Sequence, residues 1–227
     1  MLGAAVGTWY VLFTHVHHIG VWTAIAIIAI GVMPGMFGLV LIALPLSTLR
    51  LKLLALVTVA LALIALACSE TNQELAANFA KFWAAVFAGW MFLYLFESLL
   101  LVVVITPLIA IVDAISVFAP KGPTHQIIAN HPAVYSDVAV AFPASRRFVS
   151  GLGPPDILFF ALFLAAAWRW RLRTGWTWFA MTGMYGLTIV LTQAVKTNGL
   201  PALPFLSAGF LAANADLLWV RLRRPRQ

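Results

Sequence analysis

Residues 98–119 read SLLLVVVITPLIAIVDAISVFA, 22 positions with a single charge, Asp113. About 20 consecutive apolar residues is the length a helix needs to cross the hydrocarbon core of a bilayer. Lipid offers no water to backbone amides, so a run of this kind satisfies its own backbone as a helix. The same pattern recurs outward in both directions. Toward the amino terminus lie 75–96, which shares the 75–119 stretch with a turn near Glu97, then 53–69, then 19–47, interrupted by Pro34 and Gly35. Toward the carboxyl terminus lie 152–168, 176–195 and 199–219. Residues 2–16 add a short apolar segment. The chain therefore reads as an all-α, polytopic transmembrane bundle of seven to eight spans. Residues 120–148 differ in kind: they hold Pro, Gly, Asn and His with Asp137, Arg146 and Arg147, and read as a loop outside the hydrocarbon.

Composition agrees. Of 227 residues, 63% are hydrophobic and 9% are charged, against about 25% charged in ordinary soluble domains. A soluble enzyme is excluded. An outer-membrane barrel is also excluded, because its strands alternate polar and apolar over about 10 residues. The net charge of +7 does not point to nucleic acid. The basic residues cluster at helix ends, as in Arg169, Arg171 and Arg173 and in the tail from Arg221 to Arg226, the pattern that marks a cytoplasmic face. Cys68 is the only cysteine, so no intrachain disulfide or thiolate metal cluster is expected. The first residues lack a basic start and lead straight into a further apolar run, so no cleavable signal peptide is expected.

Side A is the face carrying the 120–148 loop; side B is its opposite. Side A holds Lys121, Arg146, Arg147 and Lys196, and side B holds Arg50, Lys52, Arg169, Arg171, Arg173 and the basic tail. Side B is therefore expected to be cytoplasmic, with the carboxyl terminus, in a prokaryotic plasma membrane.

The chain has seven acidic residues. Glu70, Glu74 and Asp137 fall in loops, Glu97 at a turn, and Asp216 near the side B end of the last span. Asp113 and Asp156 remain, and an ionisable group inside a membrane helix is a functional candidate by default. Asp113 precedes the side A exit of its helix by six residues, and Asp156 follows the next side A entrance by five. At 1.5 Å per residue both lie roughly 7–9 Å inside the same face. Two carboxyls at close range do not both ionise easily, so the pair holds a shared proton. That is the chemistry of an aspartic protease: one carboxylate takes a proton from water while the other donates to the peptide carbonyl. It is equally the chemistry of a proton relay in a transporter, and spacing alone does not separate the two.

The flanking residues add a resemblance. Residues 111–118, Ile-Val-Asp-Ala-Ile-Ser-Val-Phe, resemble the first catalytic segment of presenilins and their microbial homologues. Residues 151–156, Gly-Leu-Gly-Pro-Pro-Asp, are similar to the Gly-x-Gly-Asp motif of the second catalytic helix. Residues 200–204, Leu-Pro-Ala-Leu-Pro, match the Pro-Ala-Leu motif of presenilins and signal peptide peptidases. The three stand in the family's order, over about residues 97–220. The resemblance implies a catalytic half at 97–227 behind amino-terminal helices at 1–96. It implies an intramembrane aspartyl endopeptidase with no metal or other cofactor, whose partners are transmembrane protein or peptide substrates and the bilayer. By it, Asp113 and Asp156 are the catalytic pair, and Gly151, Leu152, Gly153, Pro201, Ala202 and Leu203 shape the substrate site. With side B cytoplasmic, the orientation resembles signal peptide peptidases and implies single-span substrates with the amino terminus inside.

The glycines allow close backbone approach, Pro201 keeps a helix start irregular, and exposed backbone there could pair with an unwound substrate as an added strand. Two features depart from the family. Val112 stands where it has tyrosine, and Pro154 and Pro155 separate Gly153 from Asp156. Two extra residues would rotate an aspartate about 200° on a continuous helix. Proline suits a first helical turn, so the helix is expected to start at Pro154, with Asp156 still facing inward. A proton-coupled transporter, or an inactive relative disabled by the Pro-Pro insertion, stays open beside the protease.

Other features read as structural. His15, His17 and His18 form an interface cluster rather than a metal site, and His125 and His131 sit in the loop. The tryptophans form interfacial belts. Gly183, Gly186 and the Met181–Met184 stretch serve helix packing, and Lys81 snorkels toward side A.

Overall fold

The computed structural model describes residues 1–16, 19–119, 122, 126, 130, 137–145, 148–197 and 199–223. In chain order these form α1 (Leu2–Leu12), α2 (Val21–Thr48), α3 (Leu51–Glu70), α4 (Glu74–Leu95), α5 (Leu99–Phe118), β1 (Val140–Ser145), β2 (Phe148–Leu152), α6 (Pro154–Arg169), α7 (Thr174–Val195) and α8 (Ala202–Arg223). Six of the helices, α2 to α5, α7 and α8, are long and apolar enough to cross a membrane. The seventh expected span is α6, at 16 residues about 24 Å long. It is the enclosed centre of the bundle, with Phe160 to Ala167 buried without a break. With 11 residues, α1 is too short to span.

Turns of two to four residues join α2 to α3, α3 to α4, α4 to α5 and α6 to α7, so successive helices reverse direction. Three helices end with a non-glycine residue in left-handed conformation: Asn72, Arg171 and Lys196, with φ of 55°, 50° and 55°. The following amide closes each turn, as Gln73 N–H bonds the Cys68 carbonyl at 2.8 Å, Leu172 that of Ala167 at 2.7 Å, and Thr197 that of Thr192 at 3.2 Å. Such closure satisfies carbonyls a helix end leaves unpaired. Pro34 does not break α2. The helix widens into a π turn over Ile27–Val32 just ahead of it, which accommodates the proline's missing N–H.

The helices meet in one core that includes Val6 and Leu218, so the stretches 1–96 and 97–227 share it. At its centre Phe37 of α2 stacks on Phe160 of α6 at 4.0 Å, on Tyr185 of α7 at 5.3 Å and on Phe142 of β1 at 6.2 Å between ring centroids. Gly186 lets α7 close on α2, since a Cβ there would lie 3.2 Å from that of Ala29; Gly183 faces open space, so helix packing explains only the first. Polar ties bind α8 to its neighbours. Ser207 donates to the Thr106 carbonyl of α5 at 3.2 Å, and Asn214 donates to Thr177 of α7 at 2.8 Å. Asp216 pairs with Arg173 at 2.6 Å on side B, both partly exposed, which fits its interfacial reading.

The all-α expectation needs one correction. The carboxyl-terminal part of the 120–148 loop, with the residues just after it, forms an antiparallel hairpin that pairs Val140 with Leu152, Ala141 with Gly151, Phe142 with Ser150 and Pro143 with Val149. Side chains from distant helices complete it. Asn78 of α4 donates to the Ala141 carbonyl at 3.0 Å and accepts from its N–H at 2.6 Å, so its amide acts as a neighbouring strand. Tyr10 donates to the same carbonyl at 2.6 Å, and Trp9 to that of Pro143 at 2.8 Å. N78A leaves the Ala141 N–H without its partner beside a buried surface, while Tyr10 still bonds the carbonyl. The expected loss is about 1–3 kcal/mol, read as a lower unfolding temperature of the detergent-solubilised protein; an unchanged temperature would show that this contact does not hold the hairpin.

Several sequence expectations lie outside the described residues: the loop positions Lys121, His125, His131, Arg146 and Arg147, the histidines His17 and His18, and the tail beyond Arg223.

Candidate active site

Asp113 lies near the side A end of α5, a helix that packs chiefly on α8 and leaves Val104, Leu108, Ile111, Val112 and Ile115 exposed. Asp156 is the third residue of α6. That helix starts at Pro154 with Gly153 as its extended N-cap, and the two prolines fill its first two positions. They need no intrahelical partner there, so the helix starts at Pro154 and carries Asp156 in its first turn, as expected.

Both carboxyls border one cavity of about 360 Å³, Asp113 from α5 and Asp156 from α6. Both side chains are half-buried. Each is also held. The N–H of Leu203 donates to Oδ2 of Asp113 at 3.1 Å. This amide is one of the four at the α8 amino terminus that no intrahelical carbonyl can satisfy, and Pro201 just ahead of it keeps the helix from starting earlier. A carboxylate at a helix amino terminus is favoured by both the free N–H groups and the dipole. Asp156 is packed back against its own N-cap, where a Cβ added to Gly153 would lie 3.4 Å from Oδ2, and its backbone N–H donates to the Gly153 carbonyl at 3.1 Å.

The expected site residues divide accordingly. Gly151, Leu152, Pro201 and Ala202 border the cavity with both aspartates. Gly153 and Leu203 do not; the Leu203 N–H bonds Asp113, and Gly153 is the N-cap of the helix that carries Asp156. Leu152 and Leu203 are themselves buried.

The strand edge beside the aspartates has a definite state. The N–H and carbonyl of Ala141 bond Asn78, so they point away from β2. In an antiparallel ladder, facing residues that do not bond each other both direct their backbone groups outward. Gly151 opposite Ala141, and Val149 opposite Pro143, therefore present their backbone groups on the open side of β2. Pro143 suits its outward position, having no N–H to satisfy. The result is a hairpin whose β1 edge is closed by Trp9, Tyr10 and Asn78, and whose β2 edge opens beside the cavity that residues 148–152 line.

Sequence reasoning missed the α7 wall. Tyr185, Thr188, Thr192 and Gln193 line the same cavity. Tyr185 is buried and donates to the backbone carbonyl of Asp156 at 2.6 Å, which fixes the first turn of α6 against α7. The signal was available: 185, 188 and 192 place polar groups at helical spacing within an apolar span.

Comparison of the chain with protein-family models, with curated proteins and with solved structures found no match.

Proposed function

We propose that the chain is an intramembrane aspartyl endopeptidase that hydrolyses peptide bonds within transmembrane segments. The observation that carries this reading is the convergence of two carboxyls, from different helices, on one cavity beside a strand edge that no described residue pairs. The motifs at 111–118, 151–156 and 200–204 that resemble presenilins contribute part of that cavity's lining: the two aspartates, the end of β2 and the start of α8.

In this reading an unwound stretch of substrate lies along β2, and its backbone bonds the outward groups of Val149 and Gly151 as an added strand. This replaces the hydrogen bonds the substrate helix gives up, which lipid cannot supply. The aspartates then share one proton. The ionised one removes a proton from water, the water oxygen attacks the scissile carbonyl carbon, and the protonated one donates to the carbonyl oxygen. Collapse of the tetrahedral intermediate breaks the C–N bond as the leaving nitrogen takes up a proton. The lipid-facing side of α5 gives a bilayer helix a route to the cavity from within the membrane.

The test is incubation of purified, reconstituted protein with a panel of single-span peptides, followed by mass analysis of fragments. Cleavage inside the span supports the protease. Intact peptides throughout, from folded protein, move the assignment to a proton relay, read as proton-coupled flux into vesicles, or to an inactive relative. The strand edge has its own test. G151P removes one outward N–H without touching the ladder to β1 and is expected to slow cleavage about tenfold, the value of one substrate hydrogen bond. G151A keeps the N–H and is expected to cleave normally, since the described glycines have no positive φ. Equal rates for the two variants would remove the strand from the mechanism.

A further inference from the structure

A second cavity, of about 730 Å³, lies at the opposite membrane face, where the α6–α7 turn meets the ends of α2 and α4. Its polar wall includes Ser47, Thr48, Arg169 and Arg171, and Tyr94 and Trp168 flank them. No carboxylate borders it. Among the described residues the ion pair is Arg173 with Asp216, and none of their acids pairs with Arg169 or Arg171.

The two arginines are positioned by contacts that leave their charge uncompensated. Arg169 donates to the Leu93 carbonyl at 3.4 Å and stands 5.0 Å from the Trp170 ring centroid. Arg171 is held through its backbone. Its φ of 50° places it at the left-handed position of the turn, and Arg221 reaches over to bond the carbonyls of Trp170 and, at 3.0 Å, of Arg171 itself. Glycine fills such a position at the lowest cost. The chain instead carries there an exposed arginine, one of the residues that line the cavity. Half-exposed Trp168 sets the depth, because tryptophan and tyrosine favour the headgroup layer.

Two arginines and the hydroxyl residues Ser47, Thr48 and Thr174, with no acid among the described residues, form a lining that matches the several acceptor oxygens of a phosphate. Basic pockets between transmembrane helices at headgroup depth hold phosphate-bearing lipids. We propose that this side B cavity binds a phosphate group, supplied by the phosphodiester of a lipid headgroup.

The experiment titrates delipidated protein in neutral detergent with dihexanoyl-phosphatidylglycerol, with dihexanoylglycerol, which lacks the phosphate, and with inorganic phosphate, reading bound ligand by native mass spectrometry. Three proteins are compared: the unaltered chain, R171G, and R50Q/K52Q, which removes side B charge outside the cavity wall. R171G relieves the left-handed backbone, so its unfolding temperature is expected to stay level or rise. Saturable phosphatidylglycerol binding, weakened about tenfold or more in R171G and kept in R50Q/K52Q, supports the site. If excess inorganic phosphate does not displace the lipid, the source is the headgroup; if it displaces it fully, the site is for free phosphate. Equal binding of dihexanoylglycerol, or an equal loss in R50Q/K52Q, would overturn the proposal.

Discussion

D113N and D156N are each expected to reduce intramembrane cleavage about a hundredfold or more, and the double variant is expected to be no worse than either single one. The size follows from loss of the group that transfers the proton. Non-additivity follows because the two carboxyls act on one water as a unit. Asparagine suits the test because it keeps the shape and one acceptor oxygen. The Leu203 N–H therefore retains a partner at position 113, position 156 keeps its side-chain shape, and folding is expected to survive. Unfolding temperature and cleavage are measured on the same preparations. Lost cleavage with retained stability places the chemistry on the pair. Cleavage that survives either substitution removes that carboxyl from the reaction. Absent cleavage in the unaltered protein, with flux blocked by each variant, assigns the pair to a relay.

Positions that follow from the path of one helix were legible in the sequence. The length of the apolar run at 98–119 gave α5, and counting residues from its end placed Asp113 at the depth of Asp156. The proline rule gave the start of α6 at Pro154, because proline constrains only its own turn. Positions that depend on distant partners were not legible. Val138, Val140 and Phe142 alternate with alanine at strand period, yet they follow loop residues, and β1 is completed by Trp9, Tyr10 and Asn78, more than sixty positions away. Tyr185 gave a weak signal in its polar stripe, but its role lies in a bond to a backbone carbonyl that no sequence pattern encodes. The Leu203 bond to Asp113 lay between these cases. The Pro-Ala-Leu motif marked the place, and the structure supplied the donor.

G89A is expected to destabilise the protein by about 1–3 kcal/mol or more and to lower cleavage with it, although Gly89 lies away from the cavity. A Cβ at this position of α4 would stand 2.2 Å from the Leu158 carbonyl oxygen and 3.1 Å from the Ala161 Cβ, both on α6. The first obstacle is backbone and cannot rotate aside, so the helices must separate or slide. α6 is walled by buried side chains from Phe160 to Ala167, which leaves displacement of its first turn as the available relief. That turn carries Asp156, two residues from Leu158, while Asp113 stays on α5 with its bond to Leu203. A misplacement of about 1 Å between reacting groups costs on the order of a hundredfold, so the loss of activity is expected to exceed what reduced folding alone explains. Two comparisons make this decisive. G183A, where nothing lies within 4 Å, is expected to leave stability and cleavage unchanged. G89A/A161G removes the side-chain obstacle and keeps the backbone one, so it is expected to remain impaired. Full rescue by A161G would place the crowding at Ala161 rather than at the α6 backbone, and normal activity of a destabilised G89A protein would uncouple the α4–α6 crossing from the aspartate pair.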